Sequence, residues 1–343
     1  MSLFSILIYL ANYTTSSLWS LFGPSILTGV VVTGGVIQLS SLGLLGDSSS
    51  PEITKKTEIT YSVKFSNAIP IAAQDSSLRN VTEFRVIVDQ GTPKRAVKYI
   101  SVSHDVRRFA VGESTYSNTS VISMPLLPTG DWVTADIALN PDGNQIVVTG
   151  TSYESLPSVS ETWHPYSFDI LDLEIENVEM PHSTDRVKLV SHPKLNTPGH
   201  LAVMKYSPFP DSIGIGKIDV ETEMYHYLER STLTPKFLGH VKENNQRVIG
   251  FLLEYIDGAR PADSHGYSSD LALNQCVTTL KILHKLRVAH GDSHPGNCLL
   301  RKDGIAVFID FEFAIKSSNP RDLEAAFERD LALMDLGRLK VTV

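Results

Sequence analysis

From Met1 to Gly46 the chain has no Asp, Glu, Lys or Arg; its first charged residue is Asp47. So uncharged a start is not the composition of a solvated, charge-repelled tail. The part from Ser25 to Gly46, SILTGVVVTGGVIQLSSLGLLG, is long enough to cross a bilayer as a helix of about 20 residues. Residues 25–46 are therefore expected as a candidate membrane anchor. The missing basic region argues against a cleaved signal. Lys55 and Lys56 follow closely while nothing basic precedes, so an anchor here would leave the rest of the chain in the cytosol.

Cysteine is also scarce. Cys276 and Cys298 alone cannot build a disulfide framework or a four-cysteine zinc site, and they are expected as small buried apolar residues of a reducing, cytoplasmic compartment. Basic runs are missing too, since none exceeds short pairs such as Arg107-Arg108, and the net charge is -8. Nucleic acid, which needs a concentrated basic face, is excluded as a partner. No internal repeat of solenoid spacing is present.

What is there reads as α+β. With 42% apolar and 20% charged residues in 343, the chain can bury two ordinary cores. A polar linker at residues 47–56 leads into a β-rich module at 57–165. TEFRVIVD, RAVKYISVS and NQIVVTG are its strands, and Gln90-Gly91, Thr129-Gly130 and Pro141-Asp142-Gly143 its turns. His104, Asp131 and Trp132 stand alone there and form no evident reaction centre.

Residues 166–343 carry the chemistry. DRVKLV and HLAVMKY read as consecutive strands, with Lys205 on the second. IDVETEMYHYLER follows as a helix with Glu221, Tyr225 and Leu228 on one face by three-to-four spacing. VIGFLLEYI ends in Glu254. DLALNQCVTTLKILHKL then makes a helix with Leu273, Val277, Leu280 and Leu283 as its stripe and Ser268 and Ser269 as caps.

Next comes AHGDSHPGNCLLRKDGIAVFIDFEFA, Ala289 to Ala314. Read as a two-residue hairpin turn, Asp303-Gly304 pairs Lys302 with Ile305 and, further along, Asn297 with Asp310. That register would put the Asn297 and Asp310 Cβ atoms about 5 Å apart. An amide oxygen beside a carboxylate is a hard-oxygen pair suited to Mg²⁺.

His290-Gly291-Asp292, Asn297 and Asp310, in that order and spacing, resemble the catalytic loop and metal-binding Asp of the protein-kinase-like superfamily. HGDSHPGN is most similar to the aminoglycoside phosphotransferase and choline kinase branch. ETEMYHYLE, TPKFLGHV and VIGFLLEYIDG resemble compact fungal kinase-like proteins. The resemblance implies a bilobal kinase-like domain at 166–343 with ATP and Mg²⁺ as cofactors and a protein or small-molecule hydroxyl as acceptor. It implies Asp292 as catalytic base and Asn297 and Asp310 as metal ligands. It also implies that Lys205 reaches the phosphates, that Glu221 pairs with Lys205 (Glu223 is the alternative, decided by helix phase), and that the backbone from Glu254 to Ile256 reads the adenine. His290 is expected to brace the loop and His294 to support it or line the acceptor site.

Two features depart from that family. Glu176 to Arg186, where a phosphate-covering loop belongs, has no glycine, and the C-lobe is short; IDFE, with Glu312, also occurs in that branch in place of Asp-Phe-Gly. After Glu312 only about one helix remains, capped by Asn319-Pro320, with Leu323, Phe327, Leu331 and Met334 inward and Gly337 as its stop. The C-lobe is thus minimal, and a catalytically weak nucleotide-binding scaffold is the alternative to an active phosphotransferase.

Overall fold

The computed structural model describes residues 27–33, 36–42, 58–76, 78–112, 119–177, 184–264 and 270–341. The fold is mixed α+β, dominated by sheets, and divides into two compact units, Met1–Glu154 and Ser155–Val343. Residues 155–165 belong with the second unit, where Val159 is buried and its N–H donates to the Val248 carbonyl.

In the first unit β1 (Leu27–Thr33), β2 (Val36–Leu42) and β3 (Glu58–Lys64) run antiparallel. The other strands are β4 (Ala68–Ser76), β5 (Val81–Val88), β6 (Ala96–Ser103), β7 (Val111–Gly112), β8 (Thr119–Ser123), β9 (Thr134–Leu139) and β10 (Ile146–Ser152). They form two five-stranded sheets, ordered β1-β2-β3-β8-β7 and β10-β9-β6-β5-β4. Both sheets feed one apolar core: Val63 and Ile122 from the first meet Phe84, Val86, Ile100 and Ile137 from the second, with Trp132 1% exposed. Thr82, Phe84, Val86 and Val88 of β5 alternate inward, the period-two pattern of a strand with a buried face.

The described part of 25–46 is strand and not the expected helix. Leu27–Leu42 holds two paired strands with Thr33 opposite Val36, and no helix among the described residues is long and apolar enough to cross a membrane. Average hydropathy is blind to period. The informative signal was two β-branched runs separated by Gly34-Gly35, a hairpin composition.

His104 does not stand alone either, because its Nε2 lies 2.6 Å from Asp75 Oδ1, which also receives Thr82 Oγ1 at 3.1 Å.

The second unit is built on a six-stranded sheet. Its strands are β11 (Ser167–Asp169), β12 (Glu174–Ile175), β13 (Val187–Ser191), β14 (Leu201–Tyr206), β15 (Phe237–Glu243) and β16 (Arg247–Glu254), in the order β11-β15-β16-β14-β13-β12. Helix α1 (Ser212–Tyr227) begins where the Asp211 carboxylate caps the Gly214 N–H at 2.6 Å. Ile218, Glu221, Tyr225 and Leu228 are all buried, as their spacing predicts. Tyr225 packs edge-on against Phe251 of the sheet and against Phe311, with ring centroids 5.4 and 5.6 Å away. Burying Phe311 completely contributes about 2 to 3 kcal/mol and pins the segment that carries Asp310 and Glu312.

Beyond the sheet lie β17 (Arg260–Pro261), α2 (Asp270–Lys285), β18 (Val288–Ala289), β19 (Cys298–Leu300), β20 (Ala306–Phe308), β21 (Ile315–Lys316) and α3 (Pro320–Val341). Leu273, Leu280 and Leu283 of α2 are buried as their stripe predicts, while Ser268 and Ser269 lie outside the described residues. Gly337 does not stop α3, which continues to Val341. Cys276 and Cys298 are fully buried but are not separate thiols: a disulfide joins α2 to β19. Pairing two distant cysteines depends on tertiary placement, so their number no longer argues for a reducing compartment.

Candidate functional site

Lys205, on β14, is 8% exposed and meets three carboxylates. Its Nζ lies 2.6 Å from Glu221 Oε2, 2.7 Å from Asp310 Oδ1 and 3.0 Å from Glu312 Oε1. Lys205 faces Phe251 across the ladder, and Gly250, opposite Tyr206, lets β16 lie close here, since a Cβ there would run into the Lys205 carbonyl and Tyr206. The helix phase selects Glu221, whereas Glu223 pairs with Lys316 at 2.8 Å on the exposed side. Burial opposes the Lys205 charge, but Glu221, Asp310 and Glu312 outweigh it and hold the ammonium above its ordinary range. Burial also pushes Glu221 up to about 7 against the pull of Lys205. For Asp310 and Glu312 the cost of burial is outweighed, chiefly by Lys205, and both carboxyls are held below their usual range.

The loop from His290 to Asn297 is held from behind. The buried His290 ring is pushed toward neutrality by desolvation. Its two nitrogens divide the work: Nε2–H donates to the Ile309 carbonyl at 2.9 Å and Nδ1 accepts the Asp292 N–H at 3.3 Å. Gly291 (φ +82) lies so close to Phe313 that a Cβ would meet its carbonyl oxygen. His294 supports the loop by accepting the Gly296 N–H at Nδ1, 3.1 Å away, and its Nε2 lies 3.8 Å from Asp292 Oδ2. The Asp292 side chain itself is 31% exposed.

Asp330 was not anticipated. This fully buried residue of α3 accepts the N–H groups of His290 at 2.8 Å and Gly291 at 2.9 Å and lies 2.9 Å from His284 Nε2; its backbone carbonyl receives Ser293 Oγ at 2.7 Å. Burial works against its charge, but these donors hold the carboxyl below its usual range. The available signal was an acid at helical spacing among Leu323, Phe327 and Met334, where an apolar residue belongs.

The hairpin register requires a correction. Arg301 pairs with Ile305 and Cys298 with Phe308, so the loop has three residues, Lys302-Asp303-Gly304, and Asn297 faces Ile309 instead of Asp310. Asp303 Oδ1 receives the Ile305 N–H at 3.0 Å and Gly304 takes φ +82, a type I turn closed by a left-handed glycine. Asp-Gly suits both loop lengths, and the extra residue shifts every pairing. Asn297 and Asp310 remain one step apart, because the Ile309 N–H donates to the Asn297 carbonyl at 3.0 Å. Left-handed backbone occurs at Asp310 (φ +68), a conformation that Asp tolerates better than most residues.

Asn297 is buried and donates Nδ2 to the Asp292 carbonyl at 2.9 Å and to Asp292 Oδ2 at 3.4 Å. Glu254 ends β16, donates its N–H to the Lys236 carbonyl at 2.8 Å and is paired by its carboxylate with Arg301 at 3.0 Å. The Ile256 carbonyl accepts the Ala259 N–H at 3.1 Å, turning the chain out of the sheet.

The oxygen donors are of the type a hard divalent ion takes, although the Lys205 ammonium already lies among three of them. Glu221, Asp310 and Glu312 can bring one oxygen each within 4.8 Å of one another, and Asn297 uses its amide nitrogen toward Asp292, leaving the oxygen as its potential ligand atom. No protein-family model and no curated protein matches the chain.

Proposed function

We propose that the second unit is a protein-kinase-like domain with a minimal C-lobe, an ATP- and Mg-dependent phosphotransferase acting on a protein or small-molecule hydroxyl. The observation that carries this reading is the meeting of Lys205, Glu221 and Asp310, from a strand, a helix and the end of a hairpin, within 2.7 Å of one ammonium. Lys205 supplies positive charge for the phosphates, and Glu221 fixes its direction. The backbone from Glu254 to Ile256 borders the adenine. Asn297 and Asp310 would hold Mg²⁺, which offsets phosphate charge. Asp292, partly exposed on a loop tied down by Asp330, orients the acceptor hydroxyl and takes its proton.

The test compares Asp292→Asn with Asp310→Asn, each checked for equal folding. Asp292→Asn should lower phosphoryl transfer, autophosphorylation or slow ATP hydrolysis by about 10²-fold or more while nucleotide affinity stays within a few-fold. Asp310→Asn should damage both. Equal activity in wild type and Asp292→Asn would remove the enzyme reading.

The second reading, a nucleotide-binding scaffold with little catalysis, is favoured by one observation: Glu312 already lies against Lys205. It predicts Mg-ATP binding without turnover in the wild type.

A further inference from the structure

Glu312 gathers more positive charge than one carboxylate needs. Its Oε1 lies 2.8 Å from Arg186 Nη2 and 3.0 Å from Lys205 Nζ, and its Oε2 lies 3.3 Å from Lys217 Nζ. The three cations come from separate places: the residue before β13, the strand β14, and α1 one turn before Glu221, on the same helix face. Lys205 is already matched by Glu221 and Asp310. Arg186 and Lys217 both reach Glu312, and Arg186 also acts on Asp310, so three cations stand among three carboxylates and Glu312 is the one that all three cations touch.

The site is partly enclosed, with both outer cations 33% exposed and Glu312 8% exposed. Arg186 Nη2 is buried and meets Glu312 as an ion pair without a well-aligned hydrogen bond. Its donors are thus poorly used by the anion at hand.

A carboxylate offers two oxygens and one charge. Three cations converging from three directions fit a phosphoryl group better, since it offers three oxygens and up to two charges. The segment before β13 has no glycine to let backbone amides approach phosphate, so cationic side chains are the remaining donors there. Phe311 is fully buried, so Glu312 can yield by rotating its side chain while the backbone stays fixed.

We propose that Arg186, Lys217 and Lys205 form a polyphosphate-binding cradle occupied by Glu312 as an internal anion, and that the phosphate tail of a nucleotide binds by displacing Glu312. The nucleotide part of this inference rests on the phosphotransferase reading; the anion part does not.

The experiment titrates tripolyphosphate and then ATP, each with and without Mg²⁺, into the full chain by calorimetry. Glu312→Gln, which keeps shape and removes charge, should bind tripolyphosphate at least 10-fold tighter than wild type. Adding Arg186→Ala or Lys217→Ala should each cancel that gain. Equal affinity in wild type and Glu312→Gln, or no loss on removing either cation, would overturn the cradle. If Glu312→Gln fails to fold, Arg186→Gln and Lys217→Gln in the wild-type chain decide: each should weaken tripolyphosphate about 10-fold, and unchanged affinity refutes the proposal. ATP binding no tighter than tripolyphosphate would leave the cradle standing and count against the nucleotide reading. ATP binding that is tight and indifferent to all these variants would do the reverse.

Discussion

The two units bury different chemistry. Among described residues the first fills its interior with Val, Ile, Phe and Trp132, and its buried charges are two cations, Arg85 and Lys98. The second buries Lys205, Glu221, His290, Asn297 and Asp330, and most of these face one another. Taking charges out of water costs several kcal/mol each unless they are paired and hydrogen-bonded. An apolar core would have folded the second unit at less expense. The polar interior therefore makes the second unit the one in which to test for chemistry, and the strongly shifted carboxyl of Glu221 lies inside it.

The contrast makes unequal predictions, and the largest separates packing from positioning. Phe84→Ala should cost the first unit about 3 to 5 kcal/mol through lost burial and a cavity. Hydrogen exchange should then accelerate across residues 81–102 while exchange across residues 201–228 of the second unit is unchanged. Asp330→Ala should cost a similar amount, about 3 to 5 kcal/mol, by stranding the buried His290 and Gly291 N–H groups. It should also lower any turnover, because these groups hold the loop of Asp292. Exchange at His290 to Asn297 that stays slow in Asp330→Ala would show that the loop holds itself.

How far the sequence carries follows from the range of each signal. Local periodicity was enough for the buried face of α1 that carries Glu221 and for the strands β5, β6 and β10, where neighbours in sequence decide which face is buried, whereas the pairing of Glu221 with Lys205 was expected only from the family resemblance. Features decided by one residue of loop length were not legible: the Asn297 register moved because Asp303-Gly304 fits a two- or a three-residue loop equally well. Long-range features were hidden as well. Neither the Cys276–Cys298 link nor the tether from Asp330 to His290 has a local pattern, and each needs two elements brought together by the fold. Leu27–Leu42 was misread for another reason, since apolar content was weighed above the β-branched runs flanking Gly34-Gly35.

A smaller effect belongs to the disulfide. It closes a 22-residue separation and should contribute about 3 kcal/mol by restricting the unfolded chain. Cys276→Ala with Cys298→Ala should lower the melting temperature of the second unit and leave the first unit's transition in place. Equal melting of the variant and wild type under non-reducing conditions would mean that the cross-link adds nothing to the packing around it.

The smallest effect tests whether polar burial away from the Lys205 cluster also carries a cost. His240, 2% exposed, is enclosed by Phe237, His164 and Trp163. Its Nε2 accepts the His164 N–H at 3.1 Å, a bond that protonation there would destroy. Burial, with His164 and Lys242 adding to it, pushes the ring down to about 4 from an ordinary 6.5. The folded value lies below the unfolded one, so the unfolded chain binds the extra proton first. Stability from this residue is complete above about pH 6.5 and drains away as pH falls toward 4, by on the order of 2 kcal/mol. His240→Gln keeps an acceptor oxygen for the His164 N–H and cannot titrate. Its denaturant midpoint should therefore fall less steeply than that of wild type between pH 6.5 and 4. Parallel slopes would mean that the charged imidazole is accommodated, and the contrast between the units would then rest on the Lys205 cluster and Asp330 alone.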